Sequence, residues 1–202
     1  RGRLALGGGI DAFGARLVDA SGAGGVEADA LGGDEAIGRN IDPAVEMFAH
    51  EARVLAALSH PGVARLVAPP TGQRAMEFMQ EFAPGLSLHV MAATPDVRMV
   101  YGAACEAIAQ LLVALDHVHT RRDTAGSALS IVHRDVCPAN VIVARDGRVT
   151  LVDFGIATSV WRPERDRGVM RGTRGYVAPE VITGERDLDA RVDLFAVGVM
   201  LY

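Results

Sequence analysis

Ile131-Val-His-Arg-Asp-Val-Cys-Pro-Ala-Asn-Val-Ile-Val143, continued by Leu151-Val-Asp-Phe-Gly155, is the stretch that decides how this chain is read. Asp135 and Asn140 fall in a loop between a long helical pattern and a short apolar strand, and Asp153 opens a Phe-Gly turn after a second strand. Three oxygen-bearing side chains are expected to meet there. Asn140 and Asp153 suit a small hard cation such as Mg²⁺, which takes oxygen ligands and keeps positions open for phosphate or water. Asp135 is left to orient a hydroxyl group.

Working outward, Gly172-Thr173 and Ala178-Pro179-Glu180 follow Asp153, and Asp193 opens the apolar run Leu194 to Tyr202. Taken in order, His133-Arg134-Asp135, Asn140, Asp153-Phe154-Gly155 and Ala178-Pro179-Glu180 resemble the catalytic core of eukaryotic-type protein kinases. An ordered set is far more specific than a lone His-Arg-Asp, which is usually a solvated loop. The resemblance implies an α+β, bilobal fold. A small antiparallel-sheet N-lobe with one helix would occupy residues 1–83, hinge included, and a mostly helical, incomplete C-lobe residues 84–202. It also implies ATP and Mg²⁺ as cofactors, Asp135, Arg134 and Asn140 as catalytic residues, Asn140 and Asp153 on the metal, and a protein hydroxyl as acceptor. Thr173 would line the substrate groove, and Asp193 would head the helix that anchors the catalytic loop. Pro138 and the Gly-Thr pair look more like Ser/Thr kinases than Tyr kinases.

Composition narrows the alternatives. Half of the 202 residues are apolar, enough for a sizeable core, and the net charge of −5 gives no reason to expect nucleic acid. Cys105 and Cys137 are too few for a disulfide framework, so a reducing, cytoplasmic setting is the default. No apolar run approaches the roughly 18 residues that span a bilayer, and a membrane anchor outside this segment stays open. Starting at Arg1 and stopping in an apolar helix, the sequence reads as a fragment of a longer product, with that helix face exposed. All 20 basic residues are Arg. This bias, with abundant Ala, Gly and Val, resembles products of GC-rich bacterial genomes, and it means that no lysine is available to grip a phosphate.

The N-terminal third departs most from the kinase pattern. Leu4 to Val18 reads as strand, Gly-rich turn, strand; Gly9 and Gly14 match the glycine loop, but Asp11 takes its second glycine and Arg16 its valine. A plain flexible hairpin fits as well. A dinucleotide fingerprint through Gly7, Gly9 and Ala12 is weaker, because no helix opens there. The strand Val26 to Leu31 carries Asp29 or a neighbour where kinases place a lysine; Arg16 is expected either to act as the substitute cation, paired with Glu51, or to be a surface arginine in a misaligned strand. A helix from Asp42-Pro43 to about Ser59 presents Val45, Phe48, Ala52, Leu55 and Leu58 on one face and carries Glu51.

Arg74 to Gly85 reads as a strand entering the hinge, with Gln80 as gatekeeper and the backbone of Glu81 and Ala83 facing the adenine edge. Asp96 to Thr120 shows apolar residues every three or four positions, widened by Met99, Tyr101 and Leu112 as core. His117 and His119 face different ways and do not read as a metal pair. Ile142 would floor the adenine site. Between Ile156 and Arg171 only Thr158 and Ser159 bear hydroxyls, a poor supply for a phosphorylation switch. Two rival readings remain: a pseudokinase acting as a binding module, and a small-molecule phosphotransferase, which lacks the Gly-Thr and Ala-Pro-Glu segment.

Overall fold

A computed structural model describes residues 15–19, 43–68, 77–95, 97, 99–162 and 168–202, with backbone only for 15–19 and 77. The expectations for Gly9, Gly14, Asp11 and Asp29 lie outside the described residues.

Two small antiparallel sheets flank a hinge. In the first, β1 (Ala15–Asp19) and β2 (Leu66–Ala68) both pair with the central β3 (Glu77–Glu81), giving the order β1-β3-β2. Arg16 is registered opposite Gln80. Helix α1 (Pro43–Ala57) begins at a proline, whose missing N–H is harmless in a first turn. It buries Phe48, Ala52, Val54 and Leu55. Phe48 meets Phe78 of β3 with ring centroids 4.7 Å apart. Each such fully buried apolar side chain contributes about 1.5–3 kcal/mol.

Past the hinge, β4 (Leu86–Ser87), β5 (Val141–Val143) and β6 (Val149–Leu151) form the second sheet, in the order β4-β5-β6. The helices are α2 (Leu88–Ala93), α3 (Tyr101–His119), α4 (Pro179–Ile182) and α5 (Arg191–Leu201). α2 was not anticipated: none of its residues is buried, so it writes no apolar stripe, and it is started by Ser87, whose Oγ accepts the Val90 N–H at 3.2 Å.

α3 is shorter than its periodicity predicts. Val100 is extended, with φ −68° and ψ 149°, and the stripe ahead of it does not belong to the helix. Ile108, Leu111, Leu115 and Val118 are buried as expected, but Tyr101 (85% exposed) and Leu112 (39%) are not core. Leu112 is one residue, hence about 100°, past Leu111 and falls on the outer face. The core runs without a break from α1 through Val63 and α3 to Ile131, Val136, Leu151 and Phe154. It therefore fixes both strand ends that carry the quoted residues. On α5, Leu194 and Phe195 are exposed, while Val192, Asp193, Ala196 and Val197 are buried. Among the described residues no helix is long and apolar enough to cross a membrane.

Candidate active site

Asp193, 1% exposed in the first turn of α5, is the anchor from which the site is built. Its Oδ2 accepts the N–H of His133 at 2.9 Å and lies 2.7 Å from His119 Nε2, and its Oδ1 accepts the N–H of Arg134 at 2.8 Å. Arg134 takes a left-handed backbone, φ 69°, which a non-glycine residue adopts at a cost of about 1–2 kcal/mol. That turn lets two successive amides reach one carboxylate. The predicted anchoring of the loop by Asp193 is what the geometry holds; the part taken by His119 was not read, although a polar residue closing an apolar helix was the available signal.

His133 locks the next link. It is fully buried and packs edge-on against Phe154, with centroids 4.5 Å apart. Its Nδ1 accepts the Asp135 N–H at 3.2 Å, and its Nε2 lies 3.2 Å from the Val152 carbonyl. One nitrogen accepting and the other donating is the pattern of a neutral ring. Burial pushes the His133 pKa down, against the opposing pull of Asp193. The loop bearing Asp135 and the strand end bearing Asp153 are thereby joined through one imidazole.

Asp135 is held from two sides. Asn140 Nδ2 donates to its Oδ2 at 3.1 Å and to its carbonyl at 3.0 Å; Thr173 donates its N–H (2.8 Å) and its hydroxyl (2.7 Å) to Oδ1. Thr173 reaches because residue 172 is glycine: φ there is 124°, and a Cβ would lie 2.9 Å from the Arg134 carbonyl. Thr173 Oγ1 is also 3.5 Å from Cys137 Sγ. Sequence placed Thr173 in the groove but did not show that it grips Asp135. The Arg134 guanidinium runs elsewhere, donating to the Val169 carbonyl at 2.7 Å.

With its amide nitrogen engaged by Asp135, Asn140 presents Oδ1. Its carbonyl accepts the Val152 N–H at 3.0 Å, so Asp153 follows directly on that pairing. Asp153 is left-handed too, φ 66°. Asp135 and Asn140 are thus in direct contact, and Asp153 follows one residue after the backbone bond that ties Val152 to Asn140. Among the described residues no three His, Cys, Asp or Glu side chains form a complete metal cage. One amide and one carboxylate are a partial shell, which fits a cation completed by phosphate and water, as Mg²⁺ prefers.

Beside Asp153 opens a cavity of about 210 Å³ lined by Glu51, Gln80, Glu81, Phe82, Ala83, Ile142, Val152 and Asp153. Glu51, Glu81, Ala83 and Ile142, all singled out from sequence, line this one space. Gln80 is 7% exposed, and its Nε2 donates to the Ala64 carbonyl at 3.3 Å. The Glu81 N–H is taken by the Arg65 carbonyl at 2.7 Å. At Gly85 the hinge lies flush on β5: a Cβ there would be 2.3 Å from the Val143 carbonyl oxygen.

This bilobal fold, with a loop aspartate, an asparagine and a strand-end aspartate beside a hinge cavity, is that of a protein kinase. The chain belongs to the protein kinase domain family, which matches residues 36–202. The Gly-rich segment and Arg16 precede that match. Tyrosine-protein kinase MasK of Myxococcus xanthus is 33% identical over 162 residues, covering 78% of this chain and 25% of that protein. Serine/threonine-protein kinase pkn2 of the same organism is 36% identical over 167 residues, covering 78% of this chain and 18% of that protein. The chain thus spans a quarter or less of the length of these relatives. Among solved structures, the yeast RNA Pol II CTD kinase CTDK-1 complex matches with a TM-score of 0.64 at 21% identity, over 81% of this chain and 50% of that one.

Proposed function

We propose that the chain is the catalytic region of an ATP-dependent protein serine/threonine kinase of reduced rate, with residues 1–83 as N-lobe and hinge and 84–202 as C-lobe. The observation that carries this reading is the three-point grip on Asp135, by Asn140 and Thr173, next to the cavity that ends at Asp153. A carboxylate has about four acceptor sites. Three donors fix its orientation and leave capacity for the hydroxyl of a bound protein substrate, whose proton Asp135 accepts. Asn140 and Asp153 would hold Mg²⁺, which supplies neutralisation of phosphate charge. Ile142 and the hinge backbone at Glu81 and Ala83 receive the adenine. Thr173 fixes Asp135 from the groove side.

The proposal of reduced rate comes from the missing lysines. Cys137 stands where Ser/Thr kinases usually carry one, and the sequence holds no lysine that could pair with Glu51. Loss of one preorganised charge-stabilising group lowers turnover about 10²- to 10³-fold. From the usual 1–100 s⁻¹ of kinases, that leaves on the order of 10⁻³ to 1 s⁻¹. Arg16 is the candidate replacement, supported by a backbone register that sets it opposite Gln80. The absence of lysine also favours a second reading, a pseudokinase that recruits partners through its surface.

Thermal stabilisation by ATP that requires Mg²⁺, followed by label transfer from γ-labelled ATP to generic protein substrates, separates the two. Stabilisation with transfer to serine or threonine supports the kinase. Stabilisation without transfer supports the pseudokinase. Transfer to tyrosine alone replaces the acceptor assignment with that of the relative named a tyrosine kinase.

A further inference from the structure

The segment after Asp153-Phe-Gly lies along α1, and the contact between them is buried and polar. His50 Nε2 is 2.9 Å from Ser159 Oγ, joining side chains that are 7% and 9% exposed and come from opposite sides of the hinge sequence. The Trp161 N–H donates to the same Oγ at 3.2 Å, and the Arg53 guanidinium lies 5.7 Å from the centre of the Trp161 ring. Within the segment, Arg162 is 8% exposed and donates to the carbonyls of Ile156 and Ala157. One helical residue beyond His50 is Glu51. A Cβ built on Gly155 would lie 3.2 Å from Asp153 Oδ1 and 3.5 Å from Glu51 Oε2, so the two carboxylates flank that glycine.

We propose that His50 and Ser159 are positioning residues: their hydrogen bond clamps α1 to the segment 155–162 and thereby holds Glu51 beside Asp153 at the nucleotide cavity. The inference rests on the kinase reading given above. His50 and Glu51 are consecutive residues of α1, so a turn of the helix that breaks the bond to Ser159 displaces Glu51 as well. A buried polar pair is suited to the task, because either group left without its partner carries a desolvation penalty.

The test uses the full-length protein and a fluorescent ATP analogue with Mg²⁺. His50→Phe and Ser159→Ala each weaken its binding about five- to fiftyfold. His50→Gln, which keeps a hydrogen-bonding group, stays within about twofold of the unaltered protein. The double variant His50→Phe/Ser159→Ala is no weaker than the worse single one, since both remove the same bond. Unchanged affinity in either single variant, additive losses in the double, or failure of His50→Gln to restore binding overturns the proposal. If the unaltered protein binds no analogue, the kinase reading fails, and amide exchange across residues 43–57 and 155–162 then decides the clamp. Faster exchange in His50→Phe, restored in His50→Gln, supports it; identical exchange in all forms overturns it.

Discussion

The loop bearing Asp135 and the wall facing it across the cavity are built by different means. Around Asp135 the polar groups are closed into a chain: Asp193 holds the His133 and Arg134 amides, His133 spans to Val152, and Asn140 and Thr173 hold the carboxylate. Across the cavity the described polar contacts join separate elements in pairs. Gln80 is tied to Ala64, α1 is tied to the segment at Ser159, and the family match does not reach Arg16. The half around Asp135 is thus locked by a continuous run of hydrogen bonds. The facing half is where the sequence departs most from the kinase pattern. Changes in the first half should damage folding or the chemical step, and changes in the second should register chiefly as nucleotide affinity.

Asp193→Ala should have the largest effect. It strands two backbone amides and a histidine in a buried pocket, and chemical denaturation should show a loss of about 3–5 kcal/mol; an unchanged midpoint would mean that the loop needs no anchor. Asp135→Asn comes next. Phosphate transfer should fall about 10²- to 10⁴-fold while binding of Mg²⁺ and nucleotide persists, as measured by single-turnover assay and titration. Arg16→Ala tests the opposite wall, with nucleotide affinity expected to drop about 10- to 100-fold in a titration at constant Mg²⁺. Equal affinity would remove Arg16 as the substitute cation and leave that wall without one.

The smallest effect is with pH. Burial pushes the pKa of His133 below the ordinary 6.5, and burial, with help from the charges of His60 and Arg121, does the same to His117. A histidine whose folded pKa is depressed binds protons more readily when unfolded, so its contribution is complete above about pH 6.5 and is lost as pH falls toward the folded value. His117 is also the acceptor of the Ser59 N–H at 3.3 Å, a bond that protonation removes. Thermal midpoints should therefore be level above neutrality and decline in mild acid, with His117→Gln flattening part of the decline.

Much of the half around Asp135 was legible in the sequence because its residues sit at short, ordered spacings: Asp135 and Asn140 in one loop, Asp153 at a strand end, Thr173 after its glycine. Where a stripe repeated, it located α1 and the buried side of α3. It misled at Tyr101 and Leu112, since periodicity does not say where a helix begins or which neighbour of a buried leucine turns outward. α2 has no buried residue and left no stripe. The His50 and Ser159 contact joins residues too far apart in sequence for any local pattern to reveal, and the triple use of Asp193 is a matter of backbone direction rather than residue type.

The close seat of Gly85 on Val143 carries one last consequence. With no room for even a methyl group between them, an alanine at this position would push the turn ahead of β4 away from β5 and spoil the pairing of Leu86 with Val143.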